Sequence, residues 1–277
     1  MESQVILPSS TDHPIQENFI NCNSKRIVVR AGRRGGKTVG VAIKACKAFL
    51  ERKRVLYTSP TSDQVERFWN TVCEAFREPI ERKVLYKNST LHVLEIPGTE
   101  VRIRAKSAWN ADTLRGDYAD LLILDEWQLC SESAWELVGA PMLLDNDGDA
   151  IFIYTPPSLH SRSVSKANDP QHAAKLFAKA QEEERAALIE GRIPRWKTFH
   201  FSSMENPYIS KDALDEITKD MTSLAYKMEI LAIDVTESPG ALWTRSIIET
   251  SREIKSPDLD RVVVSVDPSA TSGGDEA

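Results

Sequence analysis

The chain has 277 residues, 41% hydrophobic and 27% charged, enough for one sizeable core with a smaller appendage, and no apolar run approaches the ~20 residues of a membrane-spanning helix. Its net charge of −6 argues against a protein that coats nucleic acid over its whole surface, while leaving room for a local basic strip. The first residues, MESQVILPSSTDHP, carry neither a basic nor an apolar signal region, and the four scattered cysteines form no CxxC pair, so a reducing cytoplasm is expected and a zinc site is not.

RIVVRA (26–31) is a β-branched run that stops where glycines begin. From Lys37 to Leu50 a helical period puts Val39, Ala42, Ile43, Cys46, Phe49 and Leu50 on one face. A strand at 54–60 precedes a helix over 62–76 with Ser62 as N-cap. The runs 91–96 and 101–106, joined through Pro97 and Gly98, read as a β-hairpin. LLILDE (121–126) and IFIYTPP (151–157) are continuous apolar runs, as central strands buried on both faces require, with a helix expected over 131–143 between them.

Residues 197–203 read as one more strand, 170–191 as a charged, alanine-rich helix, and 210–232 as a second amphipathic stretch. The alternation predicts an α/β fold with a mainly parallel sheet. The expected organisation is a core over 1–160, a small helical lid over 161–235 with its return strand, a linker over 236–260, and a new strand opening at 261.

The segment AGRRGGKT (31–38) fits a phosphate-binding loop. Gly32, Gly35 and Gly36 permit turns that aim N–H groups inward, Lys37 reaches phosphate, and the Thr38 hydroxyl ligates Mg²⁺. A glycine-rich turn with an incidental lysine is the bland alternative, and the strand before and helix after speak against it. Asp125, ending a buried strand, suits a magnesium-positioning carboxylate, and Glu126 suits a base that polarises water. A spacing of about ninety residues from the loop to these acids suits a sheet in which the two strands become neighbours. Adjacent Asp and Glu favour hydrolysis over transfer, so an ATPase is expected, with ATP and Mg²⁺ as its cofactors.

RAGRRGGKT, SAWNADTLRGDYADLLILDE, SSMENPYIS, GALWTRSII and VVVSVDPSATSGGDEA occur in an order that resembles the large terminase subunit of tailed double-stranded DNA bacteriophages. The resemblance runs over nearly the whole chain. It implies a P-loop NTPase fold of the ASCE, RecA-like type and a motor that packages double-stranded DNA in the host cytoplasm. It further implies a homo-oligomeric ring on a portal, a small terminase subunit as partner, and no membrane.

By the same resemblance Gln16 contacts adenine, Ala31, Gly32, Arg33, Arg34, Gly35, Gly36, Lys37 and Thr38 surround the nucleotide, and Thr155 is a coupling residue that senses the γ-phosphate. The arginine finger is Arg115 from a neighbouring subunit, with Arg33 and Arg34 in cis as rivals. Asp267 is a possible metal ligand of a truncated RNase H-like nuclease beginning at 261, and a chain with so few of that domain's acids is not expected to cut DNA.

Arg162, Lys166, Lys175 and Lys179 face one acid, Asp169, and form the best candidate strip for gripping phosphates without reading sequence. A helicase-like ATPase and a nucleotide-dependent DNA-binding assembly module are the alternatives. The helicase lacks strand pattern for a second RecA-like domain, and the intact Glu126 speaks against an inert module.

Overall fold

Alternate residues of the first strand serve two different cores. In β1 (Arg26–Ala31), Ile27, Val29 and Ala31 point into one apolar cluster and Val28 into another, on the opposite face of the sheet. The computed structural model describes residues 4–8, 12–107, 116–157, 165–235, 245–252, 261, 263 and 265. It divides into two compact units, Met1–Val235 and Thr236–Ala277.

The first unit begins with α1 (Pro14–Asn21), β1 and α2 (Lys37–Leu50), then β2 (Val55–Ser59), α3 (Ser62–Ala75) and α4 (Arg77–Glu81). A three-strand antiparallel addition follows: β3 (Tyr86–Asn88), β4 (Val93–Glu95) and β5 (Arg102–Ser107). Next come β6 (Leu121–Leu124), a π-helical stretch (Ala134–Gly139) running into α5 (Ala140–Met142), β7 (Asp149–Tyr154), α6 (His172–Ile189) and β8 (Trp196–Phe201). The unit closes with α7 (Lys211–Lys219), α8 (Ser223–Ala225) and a second π-helical stretch (Tyr226–Ile230).

The described strands form one eight-stranded sheet in the order β3-β4-β5-β2-β6-β7-β1-β8, parallel from β5 to β8. This is the expected α/β fold with a mainly parallel sheet. The topology corrects one expectation. β1 and β6 are not neighbours, because β7 lies between them and pairs with both. The ends of all three strands therefore open on the same edge, with the end of β7 in the middle.

The helices cover both faces. α1, α2 and α3 lie over Ile27, Val29, Tyr57, Ile123 and Ile153, while α6 and the turn at Trp127 cover Val28, Leu122, Leu124, Phe152 and Tyr154. Burial on both faces explains the uninterrupted apolar strands. Within α2, Ala42, Ile43, Cys46 and Phe49 are buried as expected, whereas Val39 and Leu50 are exposed. Packing against α1, α3 and the sheet instead buries Val41, Ala45 and Ala48.

Other differences are local. Thr61, not Ser62, caps α3, its hydroxyl accepting from the Gln64 N–H. The helix expected over 131–143 is π-wound over Ala134–Gly139 before it runs into α5. Pro141 lacks the N–H an α-helix would use, and the Ala140 N–H bonds to Trp135 O, five residues back. Residues 210–232 break into separate short helices.

The helix of the expected lid, α6, packs on β1 and β8 within the same unit as the sheet. At the end of that unit Asp234 accepts from Arg30 at 2.6 Å and from the Tyr154 hydroxyl at 2.8 Å. The Arg30 guanidinium also lies 4.3 Å from the Phe177 ring, so β1, β7 and α6 share one polar fastening.

In the second unit, α9 (Arg245–Thr250) falls inside the expected linker. The strand expected at 261 and Asp267 lie largely or wholly outside the described residues.

Candidate active site

The loop between β1 and α2 is held by its carbonyls. Ser203 Oγ donates to Arg33 O at 2.5 Å and Asn206 Nδ2 to Arg34 O at 2.5 Å. His13 Nε2 lies 3.0 Å from Gly35 O, and Gln16 Nε2 donates to Gly36 O at 2.7 Å. Four successive carbonyls are thus tied to flanking elements by four side chains, two from the start of the chain and two from the segment after β8.

Two backbone bonds add to this, Gly32 N to Phe201 O at 3.0 Å and Arg33 N to Glu229 O at 2.7 Å. No side chain caps α2. Its first amides, which have no partner inside the helix, and its positive end together make an anion-binding terminus.

Glycine is required at Gly36, where φ is +91° and an added Cβ would stand 2.6 Å from Gln16 Nε2. Gly36→Ala is expected to weaken ADP binding at least tenfold. Left-handed strain and the displaced Gln16 should also lower stability by about 1–2 kcal/mol; fluorescent-nucleotide titration and urea unfolding measure the two effects.

At the end of β6, Asp125 is buried, with 2% of its surface exposed. Its Oδ2 accepts from the Tyr57 hydroxyl at 2.8 Å and from Thr38 Oγ1 at 3.3 Å, and its Oδ1 from the Glu126 N–H at 2.9 Å. Tyr57 is itself fixed by stacking on Phe68 at 3.8 Å between ring centroids.

Glu126 sits in the left-handed backbone region, φ 52°, which turns its carboxylate back over the loop. There Lys37 Nζ lies 3.2 Å from Oε1 and Gln128 Nε2 donates to Oε2 at 2.6 Å. Lys37 also donates to Thr155 Oγ1 at 2.7 Å, and that hydroxyl donates to Ala31 O at 2.9 Å. Thr155 therefore bridges the end of β7 to both ends of the loop.

The two carboxylates are driven apart in proton affinity. Burial raises the Asp125 pKa, the adjacent Glu126 charge raises it further, and Lys37 and Tyr57 only partly offset these. Burial pushes Glu126 up as well, but Lys37 and the Gln128 hydrogen bond outweigh it and hold this carboxyl below its ordinary range. Burial also raises the Tyr57 phenol well above its usual value, so it stays a donor.

Among the described residues no three His, Cys, Asp or Glu side chains gather as metal ligands. One buried carboxylate beside a threonine hydroxyl instead fits a magnesium ion that takes its remaining ligands from water and phosphate.

Gln16, Ala31–Thr38, Asp125, Glu126 and Thr155 thus come together at one edge of the sheet. Arg33 is paired, its Nε 2.5 Å from Glu229 Oε2, though its charge still acts on Glu126, and Arg34 is exposed. Lys175 pairs with Asp169 at 2.5 Å, and Lys166 and Lys179 are exposed. Arg115 and Arg162 lie outside the described residues.

Sequence reasoning missed Tyr57, Gln128, His13, Ser203, Asn206 and Glu229. Ser203 and Asn206 stood in SSMENPYIS, His13 beside Gln16 and Tyr57 in the strand expected over 54–60, and nothing in these stretches said which group each would meet. Trp127 packs edge-on to Phe152 and His172, at 5.3 and 4.9 Å.

No family model matches the chain. The large terminase subunit of Thermus virus P23-45 is 29% identical over 166 residues, spanning 53% of this chain and 34% of the relative. That of Thermus phage G20c gives the same figures, so the chain spans about a third of the length of the curated relatives it matches.

Among solved structures, the large terminase ATPase domain of Thermus phage P74-26 superposes with a TM-score of 0.63 at 22% identity, covering 83% of this chain and 100% of that domain. The fold is that of a large terminase ATPase domain. A large terminase from a thermophilic bacteriophage, solved in complex with ADP, gives a TM-score of 0.57 at 17% identity over 80% of this chain and 53% of that one. The large terminase of bacteriophage HK97 gives 0.57 at 15% identity over 83% and 50%. In this terminase fold, no helix of the described residues is long and apolar enough to cross a membrane.

Proposed function

We propose that the chain hydrolyses ATP and that this hydrolysis drives double-stranded DNA into a phage capsid, as the motor part of a large terminase. The observation that carries the reading is the convergence of Lys37, Thr38, Asp125, Glu126 and Thr155 at the uncapped start of α2. The loop amides and Lys37 bind the phosphates, and Lys37 exchanges Glu126 for a phosphate oxygen as it does so. Thr38 and Asp125 would hold magnesium, which supplies positive charge against the phosphate oxygens.

Glu126, freed at Oε1, accepts a hydrogen bond from the attacking water and orients it. Gln16 Oε1, buried without a partner, is an acceptor that the amino group of adenine would satisfy. Thr155, bonded to Lys37 on one side and to the loop carbonyl of Ala31 on the other, carries a change at the phosphates into β7.

Because Arg33 is engaged by Glu229, the reading assigns the finger to Arg115 of a neighbouring subunit in a homo-oligomeric ring on the portal. DNA phosphates meet Arg162, Lys166, Lys175 and Lys179. A small terminase subunit is the further partner, the host cytoplasm is the place of action, and Asp267 would be a metal ligand of a nuclease.

The test is ATP hydrolysis against protein concentration, with and without double-stranded DNA. Specific activity that rises with concentration and falls at least ~10³-fold in Arg115→Ala is expected. Constant specific activity, indifferent to Arg115, would return the finger to Arg33 or Arg34 and remove the ring.

A further inference from the structure

Glu126 is gripped at both oxygens, and the two grips differ in permanence. Lys37, at Oε1, is the residue the proposed function sends to the nucleotide, so its hold lasts only until phosphate arrives. Gln128, at Oε2, is buried and has no phosphate-binding duty in that reading.

Its turn is fastened from outside. Gln128 O accepts from Ser165 Oγ at 3.2 Å, Leu129 O accepts from Lys166 N at 3.0 Å, and the Trp127 ring is wedged between Phe152 and His172. A carboxamide on such a turn keeps its place while Lys37 moves.

We propose that Gln128 is the positioning residue of the ATPase base: it holds Glu126 by Oε2 so that Oε1, once Lys37 leaves, faces the attacking water in one orientation. The inference rests on the hydrolytic reading of the site. Glu126 stands in the left-handed region, where few backbone alternatives exist, and the remaining freedom is side-chain rotation. One donor at Oε2 removes that rotation. The Gln128 carboxamide acts on the base and not on the phosphate loop, so its effect should appear in turnover and not in binding.

The experiment compares wild type with Gln128→Met, which keeps length and removes the donor, and Gln128→Glu, which sets a like charge against Glu126. Glu126→Gln serves as the blank. Turnover and KM for magnesium-ATP, ADP affinity and thermal midpoint are read on each.

In Gln128→Met, turnover is expected to fall about 10–100-fold while KM and ADP affinity stay within about twofold and the midpoint holds. Gln128→Glu should fall further, since its carboxylate cannot donate. Unchanged turnover in Gln128→Met overturns the proposal. So does a loss of turnover matched by an equal loss of ADP affinity, which would make Gln128 a support of the loop. A Glu126→Gln blank as active as wild type would instead overturn the hydrolytic reading on which the proposal stands.

Discussion

Glu126→Gln is expected to lower ATP turnover by about 10³-fold, within the range a positioned general base supplies, while leaving ADP affinity unchanged or slightly improved. The substitution keeps shape and keeps an oxygen for Gln128 to donate to. It removes the carboxylate proposed to accept a proton from water on the Lys37 side of the loop. It also removes the carboxylate that competes with phosphate for Lys37, 3.2 Å away. Phosphate release gives the first effect and titration with a fluorescent ADP the second. Equal loss of both would mean that Glu126 shapes the pocket and does not serve the chemistry.

Asp125→Asn separates stability from function in opposite directions. Without metal, the buried aspartate resists ionisation, so the folded chain holds this proton more tightly than the unfolded one does. Its contribution to metal-free stability is least favourable at neutral pH and above, and improves as pH falls toward the ordinary carboxylate value near ~4. Glu126 has the opposite sign, since its depressed pKa contributes stability that is lost on acidification. The difference between wild type and Asp125→Asn reads the first group together with its effect on the second, since the two charges act on each other.

At neutral pH in EDTA the variant should be more stable by about 1–2 kcal/mol, a few degrees in midpoint, with the gain shrinking as pH falls through about 6. Its magnesium-dependent hydrolysis should be lost by about 10²-fold or more, because the amide no longer offers magnesium a charge. A variant less stable than wild type at neutral pH would show that Asp125 is held by its hydrogen bonds more strongly than burial opposes it.

The central strands and the loop were legible because each writes its purpose locally. RIVVRA followed by glycines, and LLILDE ending in two acids, need no distant partner to be read. The strand order was not legible. Spacing alone made β1 and β6 neighbours, and only the pairing of β7 with both shows that Thr155 enters the site between them.

The clamps were invisible for the same reason. Ser203 and Asn206 reach the loop across about 170 residues of sequence, and Tyr57 reaches Asp125 from the neighbouring strand β2. A serine, an asparagine or a tyrosine has no periodicity that marks a long-range hydrogen bond. The π-winding before β7 could have been anticipated from Pro141, which forbids a regular helix there.

The most direct test of the account is calorimetric titration of magnesium-ADP into the wild-type chain and into Lys37→Ala. Saturable one-to-one binding that disappears in the variant is predicted, because the proposed nucleotide site is the loop, its lysine and the start of α2. Equal binding by both proteins would place the nucleotide elsewhere and contradict the assignment of the site.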